Sequence, residues 1–254
     1  MNYFVGADSV VRKIWGKADT LLLIFAGASA EFALNKAVDW LFFTGRLPAD
    51  PIGRLFSTVE YARKIIFSPL EEANAAIDKM KNIHSAVEHA RGSEIPDWAY
   101  RDVLFMLIYY SVSSFELLER KLTEAEKEEN LQVFLKVGER MRIVDLPKNY
   151  EQWMNQYYCQ QQNDLANGSF TKELFKQYRV HLGAIRYYLL VSLQKQLVSK
   201  KVAQLLNFNS VSVMPWLLSG YKIFRAMKAE WFIKSLVLPS IYKERIKNLD
   251  LIEP

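Results

Sequence analysis

No stretch of this chain alternates apolar and polar residues with a period of two for long enough to make a half-buried strand. That absence argues against sheet-based folds and leaves helices to bury the apolar half of the sequence. Ten glycines and eight prolines among 254 residues are also too few for the many tight turns of a sheet protein. Where they do occur, several mark helix ends. Ser68-Pro69-Leu70-Glu71 reads as a capping box with proline at the first helical position, and Gly92 as the stop of the helix it opens. Thr123-Glu124-Ala125-Glu126 reads as a second capping box, opening a helix towards Arg142. Asn149 with Gln152 opens a third, and Ser169 or Thr171 a long fourth that ends near Lys201. Residues 21–43, 53–67 and 98–122 read as further helices, with the turn of residues 46–51 between the first two. The expected fold is all-α, a single globular bundle of about eight to ten helices.

Half the residues are hydrophobic and 13 % are aromatic, enough for a large core. Residues 163–169, rich in Asn, Asp and Gly, are too short to link independent domains, so residues 1–254 read as one domain. The single Cys159 has no partner for an internal disulfide, and the first residues lack a signal-peptide pattern; a cytoplasmic protein is expected. Residues 21–43 are long enough to span a bilayer. They carry Glu31, Lys36 and Asp39, whose burial in lipid would cost on the order of several kcal/mol, so a core helix is the better reading. The net charge of +5 is concentrated in residues 222–247, which hold seven basic residues against Glu230 and Glu244. After Pro215 an amphipathic stripe of Leu217, Tyr221, Phe224, Met227 and Trp231 is flanked by Lys222 and Arg225. Residues 215–248 therefore either pack on the bundle or, with Trp216 and Trp231, make peripheral contact with a membrane surface. No nucleic-acid motif accompanies the basic residues, and none is expected to bind there.

Familiar chemistries are missing from the sequence. None of His84, His89 and His181 lies three residues after a glutamate, which removes the Glu-x-x-His pairs of a di-iron bundle. There is no His-Glu-x-x-His motif, no cysteine pair, no glycine-rich phosphate loop and no dinucleotide fingerprint. Gly27-Ala28-Ser29-Ala30 approaches a serine elbow, but Glu31 stands where a glycine is needed.

What remains is a small constellation. Ala73, Ile77, Met80, His84 and Val87 recur at helical spacing and share an apolar face, so His84 points inward. His89 lies about 140° round the same helix, too far for both to hold one ion. An inward imidazole is either a core histidine bonded to a carbonyl or an axial ligand to a haem iron. Arg54 and Thr58 sit one turn apart on the preceding helix. Arg54 lies in the first turn, where a cation opposes the helix dipole. It is either a surface arginine paired with Asp50 or Glu60, or a guanidinium that serves an anionic partner such as a propionate.

The segment Asp50-Pro51-Ile52-Gly53-Arg54-Leu55-Phe56-Ser57-Thr58, followed by Phe67 and then Ile83-His84-Ser85-Ala86-Val87, carries a resemblance. With Tyr100, Leu122-Thr123-Glu124-Ala125-Glu126 and Leu146-Pro147, it resembles the oxygenase family of latex clearing protein and the fungal MpaB enzymes, over residues 21–158. The resemblance implies an all-helical fold with a haem b pocket between core helices. It implies His84 as the proximal iron ligand, with Arg54 and Thr58 as catalytic polar residues across the pocket and Arg54 also as a haem contact. Rubber-cleaving members carry a lysine immediately before the threonine; here that residue is Ser57. Val38 stands at the spacing of their acidic base, with Asp39 and Glu31 nearby. The function implied is therefore oxygen chemistry at a haem iron, with dioxygen and another apolar substrate as partners. The alternative is a non-catalytic helical protein that binds a lipid-like molecule or docks on a membrane surface.

Overall fold

The computed structural model describes residues 2–45, 49–208 and 214–226. Among these, eleven helices occur and no strand: α1 (Val10–Trp15), α2 (Ala18–Leu34), α3 (Val38–Phe43), α4 (Pro51–Phe67), α5 (Leu70–Arg91), α6 (Asp97–Leu118), α7 (Glu124–Met141), α8 (Tyr150–Asp164), α9 (Ser169–Leu197), α10 (Lys200–Leu205) and α11 (Met214–Ala226). The fold is all-α, and three of the eleven helices are single six-residue elements. No described helix is long and apolar enough to cross a membrane.

At the centre lies α2, whose side chains are buried nearly all round, with α6 on one side and α9 on another. Its small residues allow this. A Cβ on Gly27 would stand 2.1 Å from the Tyr110 ring of α6, so only glycine fits beneath that tyrosine. Ser29, from the near-miss serine elbow, is fully enclosed; its hydroxyl donates to Ala26 O at 2.9 Å and accepts from Gln194 Nε2 at 3.0 Å. It is a packing residue. The core continues through Trp15, Phe105, Ile108, Trp153 and Tyr157, each fully buried and each contributing roughly 2–3 kcal/mol by leaving water.

Several helix ends form as their sequences require. Thr123 and Glu126 make the reciprocal capping box of α7, and Arg142 closes that helix in the left-handed region at φ 63°. Asn149 Oδ1 accepts from the Gln152 amide at 2.9 Å and opens α8. Gly92, at φ 71°, ends α5 by donating to Glu88 O and His89 O.

Three expectations are corrected. Residues 21–43 are not one helix. Asn35 leaves the helical region at ψ 132°, and its side chain accepts from the Ala37 amide while donating to Asp102 Oδ2 at 2.8 Å. The peptide groups on either side pair with the α8–α9 connection, Lys36 N–H with Asp164 O and Ala166 N–H with Leu34 O. Second, Ser68 does not form a capping box. Pro69 is the cap residue, and the Leu70 amide donates instead to Asn2 O at 2.9 Å, so an N-terminal segment supplies the missing acceptor. Third, the long helix opened at Ser169 does not run straight to Lys201. It ends at Leu197, Ser199 caps the separate α10, and Gly183 interrupts it at φ 74°, ψ 169°.

The C-terminal stripe is described only in part. Met214 and Leu218 are buried, Tyr221 Oη donates to Asp19 Oδ2 at 3.3 Å, and Arg225 pairs with Asp19 at 3.2 Å and with Glu119. This face of α11 packs on the bundle. The side chains of Leu217 and Phe224, together with residues 227–248 including Met227 and Trp231, lie outside the described residues, as do Arg46, Leu47 and Pro48 of the predicted turn.

Candidate functional site

Helices α4 and α5 form an antiparallel hairpin joined by only Ser68 and Pro69. Its register follows from counting. Arg54 lies thirteen residues before Phe67 and His84 fourteen after Leu70, so each stands about 20 Å from the turn at 1.5 Å per residue, and the two are level. Thr58 is one turn closer to the closed end, level with Met80. Arg54 is in the first turn of α4, where its amide donates to Asp50 O, and Asp50 caps the helix through the Gly53 amide at 2.8 Å. The inward face of α5 loses cover along its length. Ala73 and Ile77 are fully buried, whereas Met80, His84 and Val87 are half-buried. The inward face of the hairpin is thus more deeply buried near the Ser68–Pro69 end than at the level of Arg54 and His84.

Tyr100 of α6 closes one side of the imidazole, with the two rings 5.2 Å apart and inclined by 56°. Glu88, one turn after His84, is itself pinned: its Oε1 accepts from Tyr100 Oη and from the Ile95 amide, both at 3.0 Å. Burial lowers the His84 pKa below the usual imidazole value, the Arg54 cation lowers it further, and Glu88 opposes both. The ring is therefore neutral near pH 7. Its Nδ1 is buried and finds no hydrogen-bond partner among the described residues. Such an orphan costs on the order of 1–3 kcal/mol unless something outside the described polypeptide uses the ring. His89, by contrast, is exposed.

The two hydroxyls next to Arg54 are turned back onto their own helix: Ser57 Oγ donates to Gly53 O at 3.0 Å and Thr58 Oγ1 to Arg54 O at 3.2 Å. Each retains lone pairs but has given its proton to the backbone. The acids near the family's base position are engaged elsewhere. Asp39 holds Arg91 at 2.8 Å, and Arg91 lies 4.0 Å over the Trp40 ring, which ties α3 to the end of α5. Glu31 is deep in the core, accepting from Tyr157 Oη at 2.7 Å and Tyr110 Oη at 2.9 Å. Burial raises its pKa against the hydrogen bonds of Tyr157, Gln161 and Tyr110.

The fold thus brings Arg54 and His84 to one level of one hairpin, keeps Thr58 a turn away, and leaves Glu31 and Asp39 in other roles. Sequence reasoning did not single out Glu88 and Tyr100 as neighbours of the imidazole. Glu88 was within reach, since i,i+4 spacing puts it on the His84 face. Among the described residues, no group of three or more His, Cys, Asp or Glu side chains gathers to hold a bare metal ion. A lone neutral imidazole suits an iron that arrives with its own macrocycle of donors.

Against known proteins, the family model described as ER-bound oxygenase mpaB/B'/Rubber oxygenase, catalytic domain, matches residues 13–229. No curated protein and no solved structure matches the chain.

Proposed function

The chain belongs to the mpaB/rubber oxygenase catalytic-domain family, and from that premise we propose that it is a haem b-dependent oxygenase acting on an apolar substrate, with His84 as the protein ligand to the iron. The observation that carries this reading is the His84 imidazole: neutral, shielded by Tyr100, unsatisfied at Nδ1 and level with Arg54. Haem b, when bound, supplies an iron at which dioxygen is activated.

The chain's own residues do the rest. Burial keeps the imidazole unprotonated and so available as a donor. Glu88 holds Tyr100, and Tyr100 limits how far the imidazole can turn. Arg54 offers a planar, permanently charged fork suited to a propionate carboxylate or to an oxygen that gains negative charge. Thr58, its proton committed to Arg54 O, is a hydrogen-bond acceptor there rather than a donor. Apolar α2 and α6, with Phe25 of α2 against Phe56 of α4, supply greasy walls close to the hairpin.

A spectrum tests the proposal. The purified protein, or the apoprotein titrated with hemin, should give a Soret band. His84→Ala should lose that band while keeping its helical circular dichroism, and His89→Ala should retain it. Equal haem retention in the two variants would remove His84 from the role.

A further inference from the structure

Two hydrogen bonds define the shape of α9. Tyr178 Oη donates to Ser29 O at 3.3 Å and Gln194 Nε2 donates to Ser29 Oγ at 3.0 Å, so residues on both sides of Gly183 reach the same serine of α2. In a straight helix these two residues would be about 24 Å apart, beyond what both side chains can span. The break at Gly183 therefore folds α9 into an elbow with two arms, residues 169–182 and 184–197. Tyr178 from one arm and Tyr187 from the other pack in a single cluster with Val38 and Leu174. On the inner side of the elbow lies a cavity lined by Thr171, Phe175, Tyr187, Val191, Leu206 and Phe208.

Among the described residues, three large apolar side chains face solvent around the bend. Val180 is 67 % exposed, Ile185 79 % and Tyr188 59 %. Residues this apolar and this exposed, clustered within nine positions of one bend, are unusual on a soluble surface. Their charge setting is one-sided. Residues 174–197 contain no Asp or Glu and four Lys or Arg, and Arg179 is exposed beside Val180. An apolar tip flanked in the chain by Arg179 and Arg186, with Glu173 of the first arm paired to Lys176, complements a surface with an oily interior and anionic headgroups; a nucleic acid would match the charge but not the valine and isoleucine.

We propose that the Gly183 elbow is a docking surface for an anionic lipid bilayer, with Val180, Ile185 and Tyr188 entering the interface and Arg179 meeting headgroup charge. None of these residues belongs to the Arg54–His84 site, so the inference stands or falls separately from the haem reading. It also differs from the membrane contact considered for residues 215–248, whose described residues Leu218, Tyr221 and Arg225 are taken up by the bundle.

The test uses the full chain with vesicles of phosphatidylcholine alone and of phosphatidylcholine with phosphatidylserine at about three to one, read by co-sedimentation. Binding should require the anionic lipid and weaken as salt is added. Val180→Asp with Ile185→Asp should lower the partition about tenfold or more, and Arg179→Gln about fivefold. Because these side chains face solvent, circular dichroism and melting should stay as in wild type; the milder Ile185→Ser serves if the double variant misfolds. Failure to bind either vesicle, equal binding to both, or an unaffected double variant overturns the proposal. So does gel filtration showing a dimer that the double variant splits without any vesicle binding, which would assign the elbow to a second copy of the chain.

Discussion

At position 84 the imidazole is penalised twice for carrying a proton, first by lost hydration and then by the Arg54 cation across the hairpin. A depressed histidine pKa means that the unfolded chain takes up protons that the native one refuses. Stability is then lost as the pH falls through the unfolded value of 6.5 towards the native one. Arg54→Gln removes the second cause and leaves the first. The His84 pKa, followed by NMR of the imidazole in the apoprotein, should move up yet stay below the unfolded value, and the acid-side loss of stability should soften. An unmoved titration would mean that Arg54 and His84 do not face each other. That experiment needs no cofactor, so it separates the geometry of the pair from its proposed use.

At the scale of elements, the close approach of α2 and α6 rests on one missing side chain. Gly27 lies beneath the Tyr110 ring, and Tyr110 Oη must stay within 2.9 Å of Glu31 to satisfy a buried carboxyl group. Gly27→Ala places a methyl group where the ring now stands, and a packed core has nowhere to send the displaced tyrosine. The expected cost is about 2–4 kcal/mol, combining overpacking with a lost buried hydrogen bond, measured by urea denaturation. A change under about 0.5 kcal/mol would show that the two helices can separate freely at this point. The α4–α5 hairpin shows the opposite economy. Its two-residue connection sets the register without any specific contact, which is why the level of Arg54 with His84 could be counted from the sequence once both helices and their turn were recognised.

Across the whole molecule, the last described helix is tied to the first half of the chain by Arg225. Its guanidinium pairs with Asp19 at the start of α2 and with Glu119 after α6, and Lys17 joins Glu119 at 2.7 Å. Burial pushes the Glu119 carboxyl up, but Lys17 and Arg225 outweigh it and the net shift is downward. A carboxylate with a lowered native pKa contributes stability above its unfolded value of 4.5 and loses it as the pH falls below. Arg225→Ala should therefore lower stability at pH 7 by roughly 1–2 kcal/mol, leaving Asp19 without its ion-pair partner. The difference from wild type should shrink as the pH falls below 4.5 and Glu119 takes up its proton, because the lowered native pKa contributes stability only above that value. Urea titrations at pH 7 and near pH 4 check this; a deficit that persists undiminished in acid would show that Arg225 acts through packing of its methylenes.

What the sequence determined alone is what neighbours within four residues settle: the all-helical class, the Thr123–Glu126 box, the Asn149 cap, the Gly92 stop and the apolar stripe that turns His84 inward. Each is a short-range balance of backbone donors, side-chain acceptors and periodicity, so it is written where it acts. What only the tertiary structure decided depends on partners far away in the chain. Asn35 breaks an apolar run because Asp102 and the α8–α9 connection take its hydrogen bonds, and Leu70 finds its acceptor in Asn2. Asp39 and Glu31, near the family's acidic position by spacing, are claimed by Arg91 and by two buried tyrosines. Gly183 is one glycine among ten until Ser29 draws both arms of α9 to itself. A polar group held out of water takes whichever partner the packed chain brings to it, and packing brings partners that no local window contains.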